Sequence, residues 1–249
     1  MTKKLRRFFV LPEQAREGRI FFNPEETIRI RNVLRLRQGD MVAVLDNRGM
    51  EREVELASLS KGGAIGSILK ETRHGAPSSP RLGLALALPA PPRMDWIVQK
   101  STELGLDEIL PFTSRRSVRL STGKNRMDRW KKVAKEASEQ SRRVYIPDVK
   151  EAVPFSSFFK SQEEGSLKIL LWEKEKDRSL RSVLENTDLR GLHSLLAAIG
   201  PEGGFEDEEA ENARNAGFLP VGLGQEILRV ETAALAVLSV IQYSLGRLG

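Results

Sequence analysis

An apolar segment that ends in a glycine-rich turn constrains the fold of this chain more than any other feature. Residues 195–199 are all apolar, and residues 200–204 (Gly-Pro-Glu-Gly-Gly) follow at once. Such a pattern is typical of a buried strand that ends in a tight turn. Because glycines leave the backbone uncovered, a ligand can lie directly against this turn. The acidic residues 206–209 then predict the start of a helix.

A second glycine-containing segment lies further along the chain. Residues 221–224 are Val-Gly-Leu-Gly, and the apolar spacing from Glu231 to Leu245 predicts a long helix. Two such turns at the carboxyl ends of neighbouring strands form the kind of crevice in which open α/β sheets bind ligands. The sequence therefore predicts a small-molecule site that is built largely from backbone.

The residues beside these turns argue against a phosphate ligand. Phosphate groups bind at helix N-termini, but here four carboxylates at positions 206–209 would repel them. The chain has no P-loop sequence, and the spacing of Gly200, Gly203 and Gly204 differs from the dinucleotide-binding fingerprint. The predicted crevice is therefore expected to bind a molecule other than a nucleotide phosphate.

Composition restricts the chemistry and the partners. The chain has no cysteine and two histidines, which excludes disulfides and thiolate chemistry and makes a metal site unexpected. No apolar run approaches the roughly 20 residues of a membrane span, and the N-terminus lacks a secretory signal. We therefore expect a cytoplasmic protein with no membrane partner. The net charge of +6 favours a polyanionic partner.

Residues 1–72 predict a small β-rich domain with many arginines. Turn signals such as residues 46–49 (Asp-Asn-Arg-Gly) separate short strand-like segments. Arginines near phenylalanines suit RNA, because cations hold phosphates and aromatic faces stack on bases. The alternative is that the phenylalanines form the core, and we expect this for most of them. The predicted RNA contacts in the whole chain are Arg6, Arg7, Arg31, Arg35, Arg115 and Arg143.

Residues 73–249 predict a second domain of the α/β class. After a breaker-rich linker at residues 74–80, apolar strands alternate with amphipathic helices. Residues 82–88 form a continuous apolar run, as expected of a strand that is buried on both faces. A helix predicted at about residues 127–141 carries Glu136, and a loop before it carries Arg115 and Arg116.

Both glycine segments carry a family resemblance. Residues 199–205 and 223–233 resemble the cofactor-binding motifs of SPOUT-class methyltransferases, and specifically those of the ribosomal RNA small subunit methyltransferase E family. The resemblance extends to the Arg-x-Phe opening, to Lys100-x-x-Glu103-Leu-Gly, to the Arg116-Ser117 pair and to residues 136–143. It implies a C-terminal SPOUT-type α/β domain with a trefoil knot and a PUA-like N-terminal domain. It also implies a homodimer.

The resemblance further implies an activity. Members of this family use S-adenosylmethionine (SAM) to methylate the N3 position of a uridine in 16S ribosomal RNA, the small-subunit RNA. Such an enzyme must remove the N3 proton or stabilise the resulting anion while it holds the methyl donor in line. We predict that Arg229 and Arg116 stabilise this anion and that Glu136 acts as a base or orients the substrate.

The cofactor contacts predicted from the resemblance come mainly from the two glycine segments and from a strand that ends at Leu171. Glu231 is expected to cap the last helix, and it could also orient Arg229 or the amine of the cofactor. The complete predicted set is Leu171, Trp172, Ile199, Gly200, Gly204, Leu223, Gly224, Ile227, Leu228, Arg229, Glu231 and Ala233.

Two other functions stay open at this point. The protein could methylate another position in ribosomal RNA or in tRNA, since the residues alone do not name the target base. It could also be a non-catalytic RNA-binding factor in ribosome assembly, although such a protein would not need paired glycine turns. A nucleotide hydrolase is disfavoured because the chain lacks a phosphate-binding loop.

Overall fold

The computed structural model describes residues 5–60, 62–116, 124–160 and 166–249. These residues form two compact units. The first contains the described residues up to Pro77 together with Ser138–Ile146, and the second contains Ser78–Ala137 and Pro147–Gly249. No helix in the described ranges has the length and apolar character that crossing a membrane requires.

The first unit is built on a six-stranded sheet with the order β1-β4-β5-β6-β3-β2. β1 runs parallel to β4, and the other pairs are antiparallel. The strands are β1 (Arg6–Phe9), β2 (Ala15–Arg16), β3 (Arg19–Phe22), β4 (Met41–Leu45), β5 (Met50–Ser60) and β6 (Gly63–Arg73).

Phenylalanines form part of the core of this unit, as predicted. Phe8, Phe9 and Phe22 are buried. The rings of Phe8 and Phe22 pack edge to face, with 5.7 Å between their centroids. Phe21 is only half-buried, and the guanidinium of Arg16 lies 4.4 Å from its ring centroid. Three of these four aromatic side chains are therefore unavailable to stack on bases.

A short helix and a π-helical turn connect β3 to β4. Helix α1 (Pro24–Ile28) begins after Asn23, whose side chain accepts a hydrogen bond from the N–H of Glu26. The Glu26 carboxylate accepts a bond from the Asn23 N–H in return, which is the reciprocal pattern of a capping box. The chain then continues as a π-helical turn over Arg29–Val33.

The end of helix α3 (Lys124–Ser141) belongs to the first unit and is held there by a buried carboxylate. Glu139 is 5% exposed and accepts a hydrogen bond of 2.9 Å from the N–H of Phe9. Its other carboxylate oxygen accepts from the guanidinium of Arg29. Because a buried charge is costly without partners, these contacts make Glu139 important for stability.

Replacement of Glu139 by alanine is expected to destabilise the protein by about 3 kcal/mol, since it leaves Arg29 and a buried N–H without an acceptor. In a chain of this size, a loss of this amount lowers the melting temperature by about 6–12 °C. Glu136→Ala is the matched control, because Glu136 lies one helical turn earlier and is exposed. Equal melting temperatures for the two variants would contradict the role of Glu139.

The second unit has an α/β fold with a parallel sheet, as the sequence predicts. Its seven strands have the order β10-β8-β7-β12-β11-β13, with β9 paired to β8, and every pair is parallel. The strands are β7 (Arg81–Ala87), β8 (Glu108–Thr113), β9 (Asp148–Val149), β10 (Val153–Pro154), β11 (Leu167–Leu171), β12 (Ser194–Ile199) and β13 (Leu219–Val221).

Helices follow most of these strands, and one of them packs on the centre of the sheet. Helix α7 (Val230–Ser244) contacts both β12 and helix α2 (Pro91–Glu103). Besides α3, the helices of the second unit are α2 (Pro91–Glu103), α4 (Phe155–Lys160), α5 (Leu180–Glu185), α6 (Asp207–Asn215) and α7 (Val230–Ser244).

Three neighbouring strands end at the same level of the sheet. Leu171, the last residue of β11, is in register with Ile199 at the end of β12 and with Val221 at the end of β13. The N–H of Trp172 donates to the carbonyl of Val221 at 3.0 Å, which extends this pairing beyond the strands. The connections that follow the three strands therefore meet at one edge, where parallel sheets bind ligands.

Candidate active site

A crevice of about 380 Å³ lies at this edge of the second unit. Its walls come from the segments that follow β11, β12 and β13 and from the first turn of α7. The structure brings together all of the predicted cofactor residues except Glu231: Leu171, Trp172, Ile199, Gly200, Gly204, Leu223, Gly224, Ile227, Leu228, Arg229 and Ala233.

Several further residues line the crevice that are not in the predicted set of cofactor contacts, although most of them lie in the two glycine segments. Each of them is close in sequence to a predicted contact. This closeness was the signal from which they could have been predicted. They include three carboxylates and one lysine, so the walls carry more negative than positive side chains. The additional residues are Glu173, Lys176, Pro201, Glu202, Gly203, Gly222, Gln225, Glu226 and Val230.

The turn after β12 requires glycine at Gly204. Its φ angle is +70°, a left-handed conformation that side chains disfavour, and its N–H donates to the carbonyl of Pro201 at 2.9 Å. A Cβ atom at this position would lie 2.2 Å from Oε1 of Glu173. The absence of a side chain therefore lets the turn approach the end of β11 closely.

Gly222 also allows a close approach, in the segment after β13. Here the neighbouring atom belongs to the backbone. A Cβ atom would lie 2.7 Å from the carbonyl oxygen of Glu175. The Gly222 N–H donates to the carbonyl of Arg178 at 2.9 Å, and its own carbonyl accepts from Leu180 at 3.1 Å. These bonds fix the position of the segment, so the close approach cannot relax by moving one side chain.

Arg229 immediately precedes α7 at the wall of the crevice. Its carbonyl accepts the first helical bond from the Ala233 N–H at 2.8 Å, and its side chain is exposed. Within the described ranges, the Arg229 guanidinium has no ion-pair or hydrogen-bond partner. This cation is therefore available to a bound molecule.

Two buried polar atoms close to these segments have no hydrogen-bond partner in the described part of the chain. They are Nε1 of Trp172, which follows β11, and Oε2 of Glu231 in the first turn of α7. Buried polar groups are normally hydrogen-bonded, and exceptions occur at functional sites. Together with the bare backbone of the glycine turns, they suit a polar ligand of modest size.

Two arginines hold the turn after β12 in place. Arg116 donates to the carbonyl of Gly203 at 2.7 Å, and its Nε lies 3.6 Å from Oε1 of Glu206. Arg93, in the first turn of α2, pairs with the carboxylate of Glu202. Arg116 thus reaches the glycine turn, and its catalytic role stays a prediction. Ser117, its partner in the resemblance, lies outside the described residues.

Arg115 is engaged with the acidic start of α6. Its guanidinium contacts the carboxylates of Glu208 at 2.6 Å and Glu206 at 2.9 Å, and its N–H donates to Glu209 at 3.1 Å. Hydrogen bonds to Glu208 and Glu206 raise the pKa of Arg115 above its ordinary value. An RNA phosphate would have to compete with these carboxylates for Arg115.

The remaining predicted residues lie in different settings. Glu136 is exposed on α3 and is not part of the crevice wall, so its catalytic role stays a prediction. In the first unit, Arg6 and Arg35 are exposed. The other predicted RNA contacts of that unit already make protein contacts: Arg7 with the Glu51 carboxylate, Arg31 with the Ser60 carbonyl and Arg143 with the Tyr145 carbonyl.

No group of three or more potential metal ligands occurs within the described ranges. The polar groups of the site are backbone atoms, carboxylates, arginine, lysine and glutamine side chains, and they lie among apolar side chains. Such groups can bind a polar molecule, orient it and stabilise charge on a second molecule beside it.

Comparison with known proteins agrees with this geometry. Residues 77–242 match the family model described as an RNA methyltransferase domain. The ribosomal RNA small subunit methyltransferase E of Bacillus subtilis is 33% identical over 248 residues, covering 96% of each chain. The protein of the same name from Synechocystis is 32% identical and covers 94% of this chain and 76% of its own.

Solved structures give the same relationship. A ribosomal RNA small subunit methyltransferase E from Neisseria gonorrhoeae, bound to SAM, has a TM-score of 0.85 at 28% identity, covering 96% of this chain and 98% of its own. A methyltransferase from Legionella pneumophila with bound SAM has a TM-score of 0.86 at 28% identity, covering 97% and 98%. The chain therefore belongs to the ribosomal RNA small subunit methyltransferase E family.

Proposed function

We propose that this protein uses SAM to methylate the N3 position of a uridine in 16S ribosomal RNA. The observation that carries the proposal is the crevice at the ends of β11, β12 and β13, which collects the predicted cofactor residues. Relatives with the same fold over nearly their full length bind SAM. The target base is proposed from the family resemblance, and ribosomal RNA as the substrate favours action in the cytoplasm.

The lining of the crevice suits this cofactor. SAM carries a positively charged sulfonium and no phosphate. Two carboxylates in the wall, Glu173 and Glu226, have no ion-pair partner within the described ranges and would favour such a charge. Backbone at Leu223 and Gly224 in the crevice wall offers hydrogen bonds to its polar groups. When bound, SAM supplies the methyl group that is transferred.

The arginines next to the crevice supply the remaining chemistry. A uridine N3 atom becomes a good nucleophile only after loss of its proton, so a nearby cation that stabilises the anion lowers the barrier. Arg229 fits this role because its guanidinium has no partner in the described residues. Arg116 is proposed to assist while it holds Gly203, and Glu136 is proposed as the base or as an orienting group.

The organisation of the whole molecule is proposed on the same basis. We assign residues 1–72 to a PUA-like RNA-binding domain and residues 73–249 to a SPOUT methyltransferase domain with a trefoil knot. A homodimer is supported by exposed apolar side chains on and near α7, with Ile227 86% and Tyr243 72% exposed. Elution as a monomer in size-exclusion chromatography at micromolar concentration would contradict the dimer.

One experiment tests the proposed reaction. The protein is incubated with SAM labelled in its methyl group and with either 30S subunits or naked 16S RNA that lacks the modification. Mass spectrometry of nuclease fragments is expected to locate one labelled N3-methyluridine. Label at another base would assign a different methyltransferase activity. Calorimetric titration with SAM distinguishes the methyltransferase from a non-catalytic assembly factor, because the assembly factor is expected not to bind SAM.

A further inference from the structure

A second cavity, of about 730 Å³, lies within the first unit and is lined by several arginines. We call it the arginine cavity. Its charged residues are four arginines and two carboxylates, which leaves an excess of positive charge. The arginines are Arg6, Arg7, Arg29 and Arg142.

Two of these arginines are fixed by carboxylates. Arg7 makes hydrogen bonds of 2.8 Å and 3.2 Å to the two oxygens of Glu51, and Arg29 pairs with the buried Glu139. The Arg7 side chain is 12% exposed, and its Nε is buried without a partner in the described part of the chain. These contacts hold the guanidinium groups in defined orientations, which favours specific binding over a diffuse charge.

The other two arginines are free to take a ligand. Arg6 and Arg142 are exposed, and neither has an ion-pair or hydrogen-bond partner within the described ranges. Arg142 has a φ angle of +65°, an uncommon conformation for a side chain of its size. Residues held in such conformations cluster at binding sites, where the surrounding structure fixes them. Arg142 therefore suits the role of an anion contact.

Besides these charged residues, the wall of the cavity contains several apolar side chains. Leu34 and Leu36 follow the π-helical turn at Arg29–Val33, and the Leu36 N–H donates to the carbonyl of Ile30 at 2.9 Å. Single π-helical turns are rare and are frequent at functional sites. Met41, at the start of β4, completes an apolar surface beside the cations.

We infer that the arginine cavity binds one unstacked nucleotide of the RNA substrate. Its phosphate pairs with Arg6 and Arg142, and its base packs against Leu34, Leu36 and Met41. A cavity whose wall contains both free cations and apolar carbon matches a nucleotide, which has a phosphate and a base. The inference rests on the proposed function, because it takes RNA as the partner.

The test uses the full chain and fluorescence anisotropy with a labelled single-stranded ten-nucleotide RNA rich in uridine. The variant combines Arg6→Gln with Arg142→Asn, since asparagine tolerates a left-handed backbone. The matched control combines Arg48→Gln with Arg190→Gln, which removes the same charge from exposed positions outside the cavity. SAM affinity and melting temperature are measured for every protein.

The cavity variant is expected to bind the RNA at least tenfold more weakly than the control variant at about 100 mM salt. Its logarithmic salt slope is expected to fall by about 0.7, because the contact to one phosphate of a single strand is lost. Equal affinities for the cavity and control variants would overturn the inference. If inorganic polyphosphate of the same charge bound the wild-type protein as tightly as the RNA, base recognition would be excluded.

Failure of the inference and failure of the proposed function give different results. If only the arginine cavity were assigned wrongly, both variants would still bind SAM and the wild-type protein would still methylate RNA. If the proposed function were wrong, the wild-type protein would neither bind SAM nor transfer label to RNA.

Discussion

Replacement of Arg229 by alanine is expected to lower kcat for methyl transfer about 100- to 1000-fold, which is the usual cost of removing one group that stabilises an anion in the transition state. Cofactor affinity is expected to change less than kcat, because the predicted cofactor site is built largely from backbone, which the substitution leaves in place. A loss in kcat without a loss in SAM affinity indicates an interaction made in the transition state. Single-turnover assays with labelled SAM measure the first quantity, and calorimetry measures the second.

Arg229→Lys is the informative companion. A lysine keeps the positive charge but not the planar, forked donor group, so partial activity is expected. Stability should be unaffected by either change, since the Arg229 side chain makes no capping bond to α7. Full activity of the alanine variant would remove Arg229 from the mechanism and leave Arg116 as the cation to examine.

Gly222→Ala is expected to weaken SAM binding more than tenfold. The added Cβ would lie 2.7 Å from the carbonyl oxygen of Glu175, and real Cβ atoms essentially never come this close to another atom. Because Gly222 is hydrogen-bonded to Arg178 and Leu180, relief requires the backbone after β13 to shift as a unit. That shift displaces Leu223 and Gly224, two residues of the crevice wall.

Gly75→Ala is the matched control for this variant. A Cβ atom on Gly75 meets nothing within 4 Å, and Gly75 is not in the crevice. Calorimetric titration with SAM and thermal melting are recorded for both proteins. Unchanged SAM affinity in Gly222→Ala, with a folded protein, would show that the segment after β13 does not hold the cofactor.

The crevice could be predicted from sequence because its signal is local. Glycines and a proline directly after apolar runs mark both the strand ends and the uncovered backbone. One pattern therefore predicts both the strands and the position of the crevice. The acidic residues at 206–209 likewise predicted a helix, and α6 begins at Asp207. Within a parallel sheet, turns after neighbouring strands must meet at one edge.

The roles of charged residues could not be predicted in the same way. Glu136 and Glu139 lie one helical turn apart in similar sequence surroundings, yet only Glu139 is buried. Its carboxylate accepts hydrogen bonds from the Phe9 N–H and from Arg29. These partners are 130 and 110 positions away along the chain. Arg7 is likewise paired with Glu51 across 44 positions, whereas Arg6 is exposed. A local sequence pattern cannot predict contacts between residues so far apart in the chain.

The two arginines that hold the glycine turn after β12 limit how far the chain could be shortened. Arg93 and Arg116, which contact the turn at Glu202 and Gly203, come from the connections after β7 and β8. A fragment that starts after residue 123 would keep both glycine segments but lose both guanidinium groups. Engineering a minimal SAM-binding scaffold from this protein therefore has to begin no later than β7, about a hundred residues upstream of the motif that it is meant to preserve.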